Sequence, residues 1–465
     1  MPDLIAMGGL NTSLSIGMQA LEVSEGALNA TSNNIANSNT PGYTREIPEI
    51  SEYPENVISG AVTGGGVTLN GLRSVRDELL NLQIQQQTSA QSSADTESSA
   101  LQQVQTYFSS TGNDIASAFS TFSSSLAQLS ASPSSGAAQA GVMSNGKNLA
   151  QAFNAAANGL TTEQSAMNTQ VADTVGQINS LTEQIAQLNG QVHQLTAAGQ
   201  DGGTVEDQRD ELVQQLSQLT GISVTQSNDG EVITTGNGTP LVMGDQSYSL
   251  QTTTGSDGMQ HVLDSNGTDI TSTIQGGTLG GSIQTRDQVI PSYLKQLNTL
   301  ASQFASAFNA AQAKGFDSNG NAGQNFFSVP ANPAGAAAGI SVSITDPSQL
   351  AISSDGSAGS DGNVANLSAA LTNTLPSGQT PSQAYANLVF QVGNDVSNSS
   401  SQSTAIGQNI LQLTNQQNSV SGVSIDEETT NLIRYQTAYE AAARIVSTIQ
   451  QLGTVTLDMG SAQSY

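Results

Sequence analysis

The sequence predicts a mainly α-helical protein with paired N- and C-terminal helices, an elongated helical-bundle domain and a small inserted β-rich domain. Apolar residues recur at heptad spacing near both chain ends and over residues 165–198. Residues 221–283 instead show a two-residue period and dense turn signals. Only 36% of the 465 residues are hydrophobic, 4% are aromatic and Trp is absent, so one large globular core is not expected.

The first predicted helix covers roughly residues 10–36. Its apolar positions, four of them spaced seven apart and one lying alongside, are Leu14, Leu21, Leu28, Ile35 and Met18. This spacing puts one apolar seam on the helix, and such a seam needs a partner.

The stretch TSNNIANSNTPGYTRE, residues 31–46, ends that helix. Pro41 disfavours the α conformation at the residue before it, and the pair Pro41-Gly42 suits the centre of a type II turn. Asn37 and Asn39 tolerate a left-handed helix cap. The plain interpretation of this stretch is therefore a helix stop.

The longest heptad pattern predicts a helix of about 50 Å over residues 165–198. Its apolar positions are Val171, Ile178, Leu181, Ile185, Leu188, Val192 and Leu195. Shorter apolar stripes of the same kind begin at Ile115, Ile290 and Tyr385 and predict three further helices. A domain built from such helices is a rod.

The C-terminal helix carries a second terminal seam. Its positions, in two series of seven-residue spacing, are Ile425, Leu432, Tyr439 and Val446, and Tyr435, Ala442 and Ile449. Because a lone helix with a narrow seam is marginal in water, we expect residues 1–45 and 425–465 to be mobile in the monomer and to order on assembly.

The inserted β-rich domain is predicted from its turns. Three dipeptides typical of hairpins lie within residues 221–283: Asp229-Gly230, Asp257-Gly258 and Asn266-Gly267. Residues 315–362 hold much of the remaining Gly, Pro and Asn, which predicts loops with one or two short strands.

Charge and composition exclude several classes of function. The chain has 10 Lys and Arg against 37 Asp and Glu, a net charge of −27, which disfavours nucleic acid and anionic membranes as partners. It has no Cys, so disulfides and thiolate metal sites are excluded. The sequence predicts neither a cleaved signal peptide nor a membrane-spanning segment.

Two terminal motifs resemble a known family. Residues 27–46, ALNATSNNIANSNTPGYTRE, resemble the N-terminal signature of bacterial flagellar axial proteins, the rod, hook and hook-associated subunits that stack into one tube. Residues 421–452, SGVSIDEETTNLIRYQTAYEAAARIVSTIQQL, resemble the matching C-terminal signature. The central stretches 207–212 and 280–323, followed by Phe326-Phe327, are similar to hook-associated proteins of the FlgK type more than to rod or hook subunits.

The resemblance implies a domain organisation. Residues 1–45 with 425–465 would form a terminal coiled-coil domain, and residues 46–220 with 284–424 an elongated helical domain. Residues 221–283 would form the inserted β-rich domain. Longer members carry a further domain at a position corresponding to residues 315–362, so we expect this chain to lack the outermost one. The last residues, GTVTLDMGSAQSY, also lack the family's usual apolar finish.

The resemblance implies a structural function in the flagellum. FlgK-type proteins form a ring at the hook–filament junction and are required for filament assembly on the hook. The implied partners are copies of the chain itself, hook subunits, a second hook-associated protein on the filament side, and an export chaperone at the C-terminal region. The implied location is extracellular, reached through the flagellar type III export apparatus. The alternatives are a hook or distal rod subunit, or a secreted binding module with axial-type termini.

The expected site is an axial assembly interface. Its apolar residues are the two seams, and its signature residues are Asn33, Asn34, Asn37, Asn39, Pro41, Gly42, Tyr43 and Arg434. A buried, hydrogen-bonded Asn at a helix seam selects one register over others, which is a second interpretation of the four asparagines besides the helix stop.

Enzymatic and metal sites are not predicted, nor is a cofactor. His193 and His261 are the two histidines, and no nucleophile-elbow motif accompanies them. The acidic residues of 206–211 fit the first turns of a helix better than a pair of catalytic carboxylates. The calcium-like spacing that begins at Asp317 lacks the required Gly and Glu, which favours a plain turn.

Overall fold

A computed structural model describes residues 2–40, 42–53, 56–58, 61–109, 114–198, 202–227, 230–357 and 359–462. The α-helices in these ranges are α1 (Pro2–Asn37), α2 (Glu78–Phe108), α3 (Ile115–Ala131), α4 (Gly136–Ala197), α5 (Gly203–Leu219), α6 (Gly277–Gln284), α7 (Ile290–Gln312), α8 (Ala336–Gly339), α9 (Val364–Thr372), α10 (Pro381–Ser421) and α11 (Ile425–Ala462). The β-strands are β1 (Glu46–Glu52), β2 (Asn56–Ile58), β3 (Ala61–Thr63), β4 (Val67–Ser74), β5 (Ile222–Ser227), β6 (Gly230–Thr235), β7 (Pro240–Met243), β8 (Gln246–Ser247), β9 (Gln251–Thr254), β10 (Gln260–Leu263), β11 (Phe327–Ser328) and β12 (Ser341–Val342). Long helices with small antiparallel sheets confirm the predicted fold class.

Local sequence signals define where the long helices begin. Asp77 and Asp114 accept backbone N–H bonds in the first turns of α2 and α3, and Ser135 does so for α4. At α10, Thr380 and Gln383 form a reciprocal capping box next to a proline in the first turn.

Helix α4 is much longer than the predicted helix over 165–198. Its 62 residues span about 93 Å at 1.5 Å per residue. Within the heptad stretch, one series of positions (Val171, Ile178, Ile185 and Val192) is buried, whereas the alternate leucines are half-buried. The part of α4 before residue 165 is rich in Ala, and residues such as Ala156 and Ala157 are buried there without producing a strong apolar stripe.

The main core lies in the helical bundle formed by α2, α3, α4, α7, α9 and α10. A cluster of phenylalanine rings with neighbouring centroids 4.7 to 6.1 Å apart occupies its centre, including Phe122, Phe304, Phe308, Phe326 and Phe327. Edge-to-face and tilted contacts of this kind add to the stabilisation from apolar burial.

The inserted β-rich region contains a four-stranded antiparallel sheet, in the order β5-β6-β7-β8, and the hairpin β9-β10. Gly230, Gly258 and Gly267 have positive φ, as the predicted turns require, while Asp229 lies outside the described residues. The strands end at Leu263, and α6 begins at Gly277, inside the segment predicted as β-rich. Leu279 of α6 shares a second core with α4, α5 and this sheet, which explains why the chain returns to a helix before residue 283.

Strands β1 to β4 were not predicted, because residues 46–74 were assigned to the helical domain. β1 pairs antiparallel with β4, with a register shift between Glu49 and Ile50. This ribbon packs on α1, where a Cβ added at Gly26 would lie 2.4 Å from Leu69 Cδ2. The β1 sequence EIPEISE does not alternate regularly between apolar and polar residues, so periodicity gave no clear strand signal there.

The described part of residues 315–362 forms turns with the two short strands β11 and β12, as the sequence predicts, and it also contains brief helical turns that were not predicted. Among the described residues, the structure has no helix long and apolar enough to cross a membrane.

Candidate functional site

The candidate site is the antiparallel pair formed by α1 and α11. A Cβ added at Gly17 would lie 2.8 Å from Val446 Cγ2, so the helices approach closely at this point. Toward the other end of the contact, Asn34 faces Glu428. Small residues allow helix backbones to approach more closely than leucines do.

The predicted α1 seam lies at the edge of this contact. Leu14, Leu21, Leu28 and Ile35 are half-buried, and Met18 is 53% exposed. The positions that are buried against α11 and β4 are smaller or polar: Gly17, Val23, Ser24, Ala27, Ala30, Thr31 and Asn34. The heptad rule therefore found the helix but did not identify its most buried face.

The predicted α11 residues divide into two groups. Ala442 is buried, and Leu432, Tyr435, Val446 and Ile449 are half-buried. Ile425, Tyr439 and Arg434 are exposed, and the guanidinium of Arg434 lies 4.7 Å from the ring centroid of Tyr435.

Asn34 is 1% exposed and makes four hydrogen bonds. Its Nδ2 donates to the backbone oxygen of Glu46 (2.8 Å) and to Glu428 Oε2 (3.1 Å). Its Oδ1 accepts from the backbone N–H of Glu46 (3.0 Å) and from the hydroxyl of Tyr43 (2.8 Å). This amide therefore joins α1, the start of β1 and the first turns of α11 within one chain.

The other asparagines act locally. Asn37 Nδ2 donates to the Asn33 side chain (2.9 Å), and Asn37 Oδ1 accepts from Thr40. Asn33 and Asn39 are exposed. Gly42 has φ +78°, and the Tyr43 N–H donates to the Thr40 oxygen (3.2 Å), as a type II turn requires. Pro41 lies outside the described residues.

Arg45 and Tyr43 complete the junction. Arg45 contacts Glu428 Oε1 through Nε (2.8 Å) and Glu427 Oε2 through Nη1 (2.9 Å). Burial, followed by the charges of Glu46, Asp207 and Glu428, raises the pKa of the Tyr43 hydroxyl, so it stays a neutral donor.

A second charged cluster ties this junction to α5. Arg76 pairs with Glu206 and with Asp207 Oδ1 (2.6 Å), and Asp207 Oδ2 accepts from the backbone N–H of Thr44 (3.0 Å). Arg209 continues the cluster to Glu231 of β6 (2.9 Å). As predicted, the acidic residues of 206–211 lie in the first turns of a helix; Glu206, Asp207 and Asp210 have arginine partners, and Glu211 accepts from Gln215.

Two of the rejected catalytic and metal candidates, His261 and Asp317, have structural partners. His193 is exposed, and His261 bridges Asp269 (2.6 Å) and Asp257 (3.3 Å). The Asp317 carboxylate accepts backbone N–H bonds from Asn319 and Asn321 within a turn. Among the described residues, no group of three His, Cys, Asp or Glu side chains is placed to hold a metal ion.

Comparison with known proteins places this geometry in a family. A family model described as the helical domain of flagellar hook-associated protein FlgK matches residues 101–327. Models of the flagellar basal body rod FlgEFG protein C-terminal region and of the flagella basal body rod protein match residues 416–459 and 14–44. Flagellar hook-associated protein 1 of Bacillus subtilis is 30% identical, over 94% of this chain and 96% of that protein.

The chain belongs to the FlgK family of flagellar hook-associated proteins. It is a structural component of the bacterial flagellum. Flagellar hook-associated protein 1 of Escherichia coli is 26% identical over 94% of this chain and 98% of that protein. That alignment spans 536 positions, more than the 465 residues here, so the E. coli relative carries insertions that this chain lacks.

The fold is also found in a solved relative. The flagellar hook junction protein FlgK from Burkholderia pseudomallei matches with a TM-score of 0.67 and 21% identity, covering 73% of this chain and 100% of that one.

Sequence reasoning placed Tyr43 in the site but missed the other two partners of Asn34, which are Glu46 and Glu428. Arg45, Glu46 and Glu428 were inside the quoted terminal motifs, but no role was assigned to them. Arg76 was missed altogether. The available signal was the scarcity of cations: with 10 Lys and Arg against 37 acidic residues, each arginine is expected to have carboxylate partners, but which ones it contacts depends on the fold.

Proposed function

We propose that this chain is the structural subunit of the hook–filament junction, where its copies form a ring on which the filament assembles. The observation that carries the proposal is the α1–α11 pair, whose outer face remains apolar. Ile445, Leu452 and Val455 lie on one face of α11 and are 50 to 53% exposed, as is Met18 of α1. A row of large apolar side chains on one face of a helix is typical of an unfilled protein contact.

The proposed organisation follows the helices. Residues 1–45 with 425–465 line the inner tube. Residues 46–220 with 284–424 form the elongated helical domain around it, and residues 221–283 project outward. Residues 315–362 are the place where longer members insert a further domain. The two core clusters support a division between the bundle and the β-rich region.

The proposed partners are neighbouring copies, hook subunits, a second hook-associated protein on the filament side and an export chaperone at the C-terminal region. We propose export by the flagellar type III apparatus and no enzymatic activity. The B. subtilis and E. coli relatives are flagellar hook-associated proteins, which supports the hook-associated position.

Gene deletion tests the proposal. We expect cells that carry hooks without filaments and release filament monomers into the medium, and complementation should restore filaments. Rod-type models match both chain ends, so a hook or distal rod subunit is the alternative. Loss of the hook itself would support that alternative, and swimming cells with intact filaments would refute both assignments.

We propose in addition that the terminal pair is stable only in the assembly. Amide exchange of a dilute monomer should show weak protection of residues 10–37 and 425–455 beside strong protection of the bundle. Strong protection of both terminal segments in the monomer would overturn this idea.

A further inference from the structure

Helix α11 presents two apolar stripes, of which α1 covers one. The covered stripe contains Tyr435, Ala442, Val446 and Ile449. The second stripe, spaced three, four and seven residues apart, consists of Ala441, Ile445, Thr448, Leu452 and Val455. At 100° per residue the two stripes lie about 100° apart around the helix. Ala441 and Thr448 are exposed, and the three larger residues are about half exposed.

Helix α1 presents a matching open face. Met18, Glu22 and Glu25 are exposed on it, and the half-buried Leu21 and Leu28 form its edge. This face includes the heptad seam that the sequence predicts, and α11 of the same chain covers only its border.

The two faces carry opposite charges. Arg444 is exposed beside the second stripe of α11, and Arg434 lies on the same side of the helix ten residues earlier. Among the described residues, Glu22, Glu25 and Arg444 form no ion pair. Because the chain has a net charge of −27, with 10 Lys and Arg against 37 Asp and Glu, an exposed arginine beside an apolar stripe distinguishes this surface from the acidic remainder.

We propose that the open face of α1 in one copy packs against the second stripe of α11 in the next copy, with Glu22 and Glu25 opposite Arg444. This inference rests on the proposed function and names the surface that joins neighbours. The occupant is a second copy because one chain cannot bring its own two faces together: α1 and α11 already contact each other through different faces. Such a head-to-tail contact repeats from copy to copy and generates a ring or a helical array.

Electrostatics in this contact would set register more than affinity. An exposed ion pair contributes only about 0.2–1 kcal/mol, whereas like charges brought together oppose the contact by similar amounts. Burial of the apolar stripe supplies the attraction, and the charges favour the helix register in which a glutamate lies opposite an arginine.

Cysteine cross-linking tests the contact directly, because the natural chain contains no Cys. One tagged copy carries Met18→Cys, and a differently tagged copy carries Ala441→Cys, Thr448→Cys, Leu452→Cys or Val455→Cys, so that the series samples the stripe at each turn. The matched controls are Ser447→Cys and Thr454→Cys, which are exposed on other sides of α11. Mixed disulfides between the two tags are expected in assembled hook-end preparations with at least one stripe variant, and neither in the controls nor in monomers.

Charge exchange is the second test. Glu25→Arg and Arg444→Glu should each reduce incorporation at hook ends about fivefold, because a favourable pair becomes a repulsive one. The chain with both substitutions should recover incorporation. Absence of mixed disulfides in all four stripe variants, or equal incorporation of all charge variants, overturns the proposed contact. If these variants still support filaments, the junction assignment stands, and the two failures are therefore distinguishable.

Discussion

The side-chain amide of Asn34 in α1 lies 3.1 Å from Glu428 Oε2 in α11, although 394 residues separate them in the sequence. The same amide makes two bonds to the backbone of Glu46 and one to Tyr43. Because these bonds connect α1 both with residues 43–46 and with α11, this one side chain aligns the two chain ends.

Asn34→Ala should therefore weaken the terminal pair. Loss of a buried, fully bonded amide reduces stability by about 1–3 kcal/mol. Faster amide exchange at the start of α11 would report the effect in assembled protein. Asn37→Ala is the matched control, since Asn37 bonds only within its own helix end and its replacement should change stability by less than about 0.5 kcal/mol. Equal effects of the two substitutions would contradict a special role for Asn34.

Gly17→Ala tests the close approach of α1 and α11. The new Cβ would lie 2.8 Å from Val446 Cγ2, whereas a Cβ at Gly9 on the same helix has no neighbour within 4 Å. Both substitutions gain helix propensity of up to about 1 kcal/mol. Crowding at residue 17 should reverse that gain by about 1–2 kcal/mol, so Gly17→Ala should be less stable than Gly9→Ala in thermal unfolding of the terminal pair in assembled protein. Equal stability of the two variants would show that the α1–α11 contact accommodates the added methyl group without loss of stability.

The contrast between Gly17 and Leu14 shows what the sequence can predict. Heptad spacing correctly placed helices at both ends, since apolar periodicity follows from helix geometry. It marked Leu14 and Leu21 as the seam, yet the closest contact uses Gly17 and the deepest burial includes Ala27 and Ala30. Small residues let backbones approach and carry little hydrophobic signal, so a pattern of large apolar residues does not reveal them.

Long-range polar partners were equally inaccessible to sequence reasoning. Gly258 and Gly267 mark turns through local backbone chemistry, which a sequence reveals directly. The pairing of Arg76 with Glu206 and Asp207 depends on how α5 returns to the start of α2, and no local rule contains that information.

Arg76→Leu should destabilise the charged cluster that connects α5 with Thr44 and the start of α2. Glu206 and Asp207 would be left together, partly buried, without the guanidinium that compensates them. Breaking a buried pair on one side reduces stability by about 3–5 kcal/mol, and solvent exposure here lowers the expected loss to about 2–3 kcal/mol. Urea unfolding measures it. Arg73→Leu is the control because Arg73 is exposed, and a loss of equal size there would refute the assignment.

Glu97→Gln should stabilise the bundle at neutral pH. Burial, followed by the charge of Asp395, raises the pKa of Glu97, while Asp395 accepts the Tyr293 hydroxyl (2.6 Å). A carboxyl with a raised folded pKa lowers stability once pH rises above its unfolded value of 4.5. Because Glu97 is partly solvated, the gain from the neutral amide should be only about 0.5 kcal/mol at pH 7, and it should vanish near pH 4. A variant that is less stable than the parent at pH 7 would contradict this account.

The bridge formed by His261 should make the β9–β10 hairpin sensitive to pH. Hydrogen bonds to Asp269 and Asp257 raise the pKa of His261, and bonds from Thr271, with His261, lower the pKa of Asp269 to about 2. A histidine with a raised pKa contributes stability that is complete below its unfolded value of 6.5 and is lost as pH rises through its folded pKa. The Asp269 contribution is complete above its unfolded value of 3.8 and is lost as pH falls through about 2.

The β9–β10 hairpin should therefore be most stable between pH 3.8 and pH 6.5, and its stability should decrease above neutral pH. Amide exchange of residues 255–271 at pH 5.5 and pH 8, corrected for intrinsic rates, should show this difference in the parent chain and its loss in His261→Gln. An unchanged difference in that variant would mean that His261 is not the titrating group, since its two carboxylate partners are ionised throughout this range.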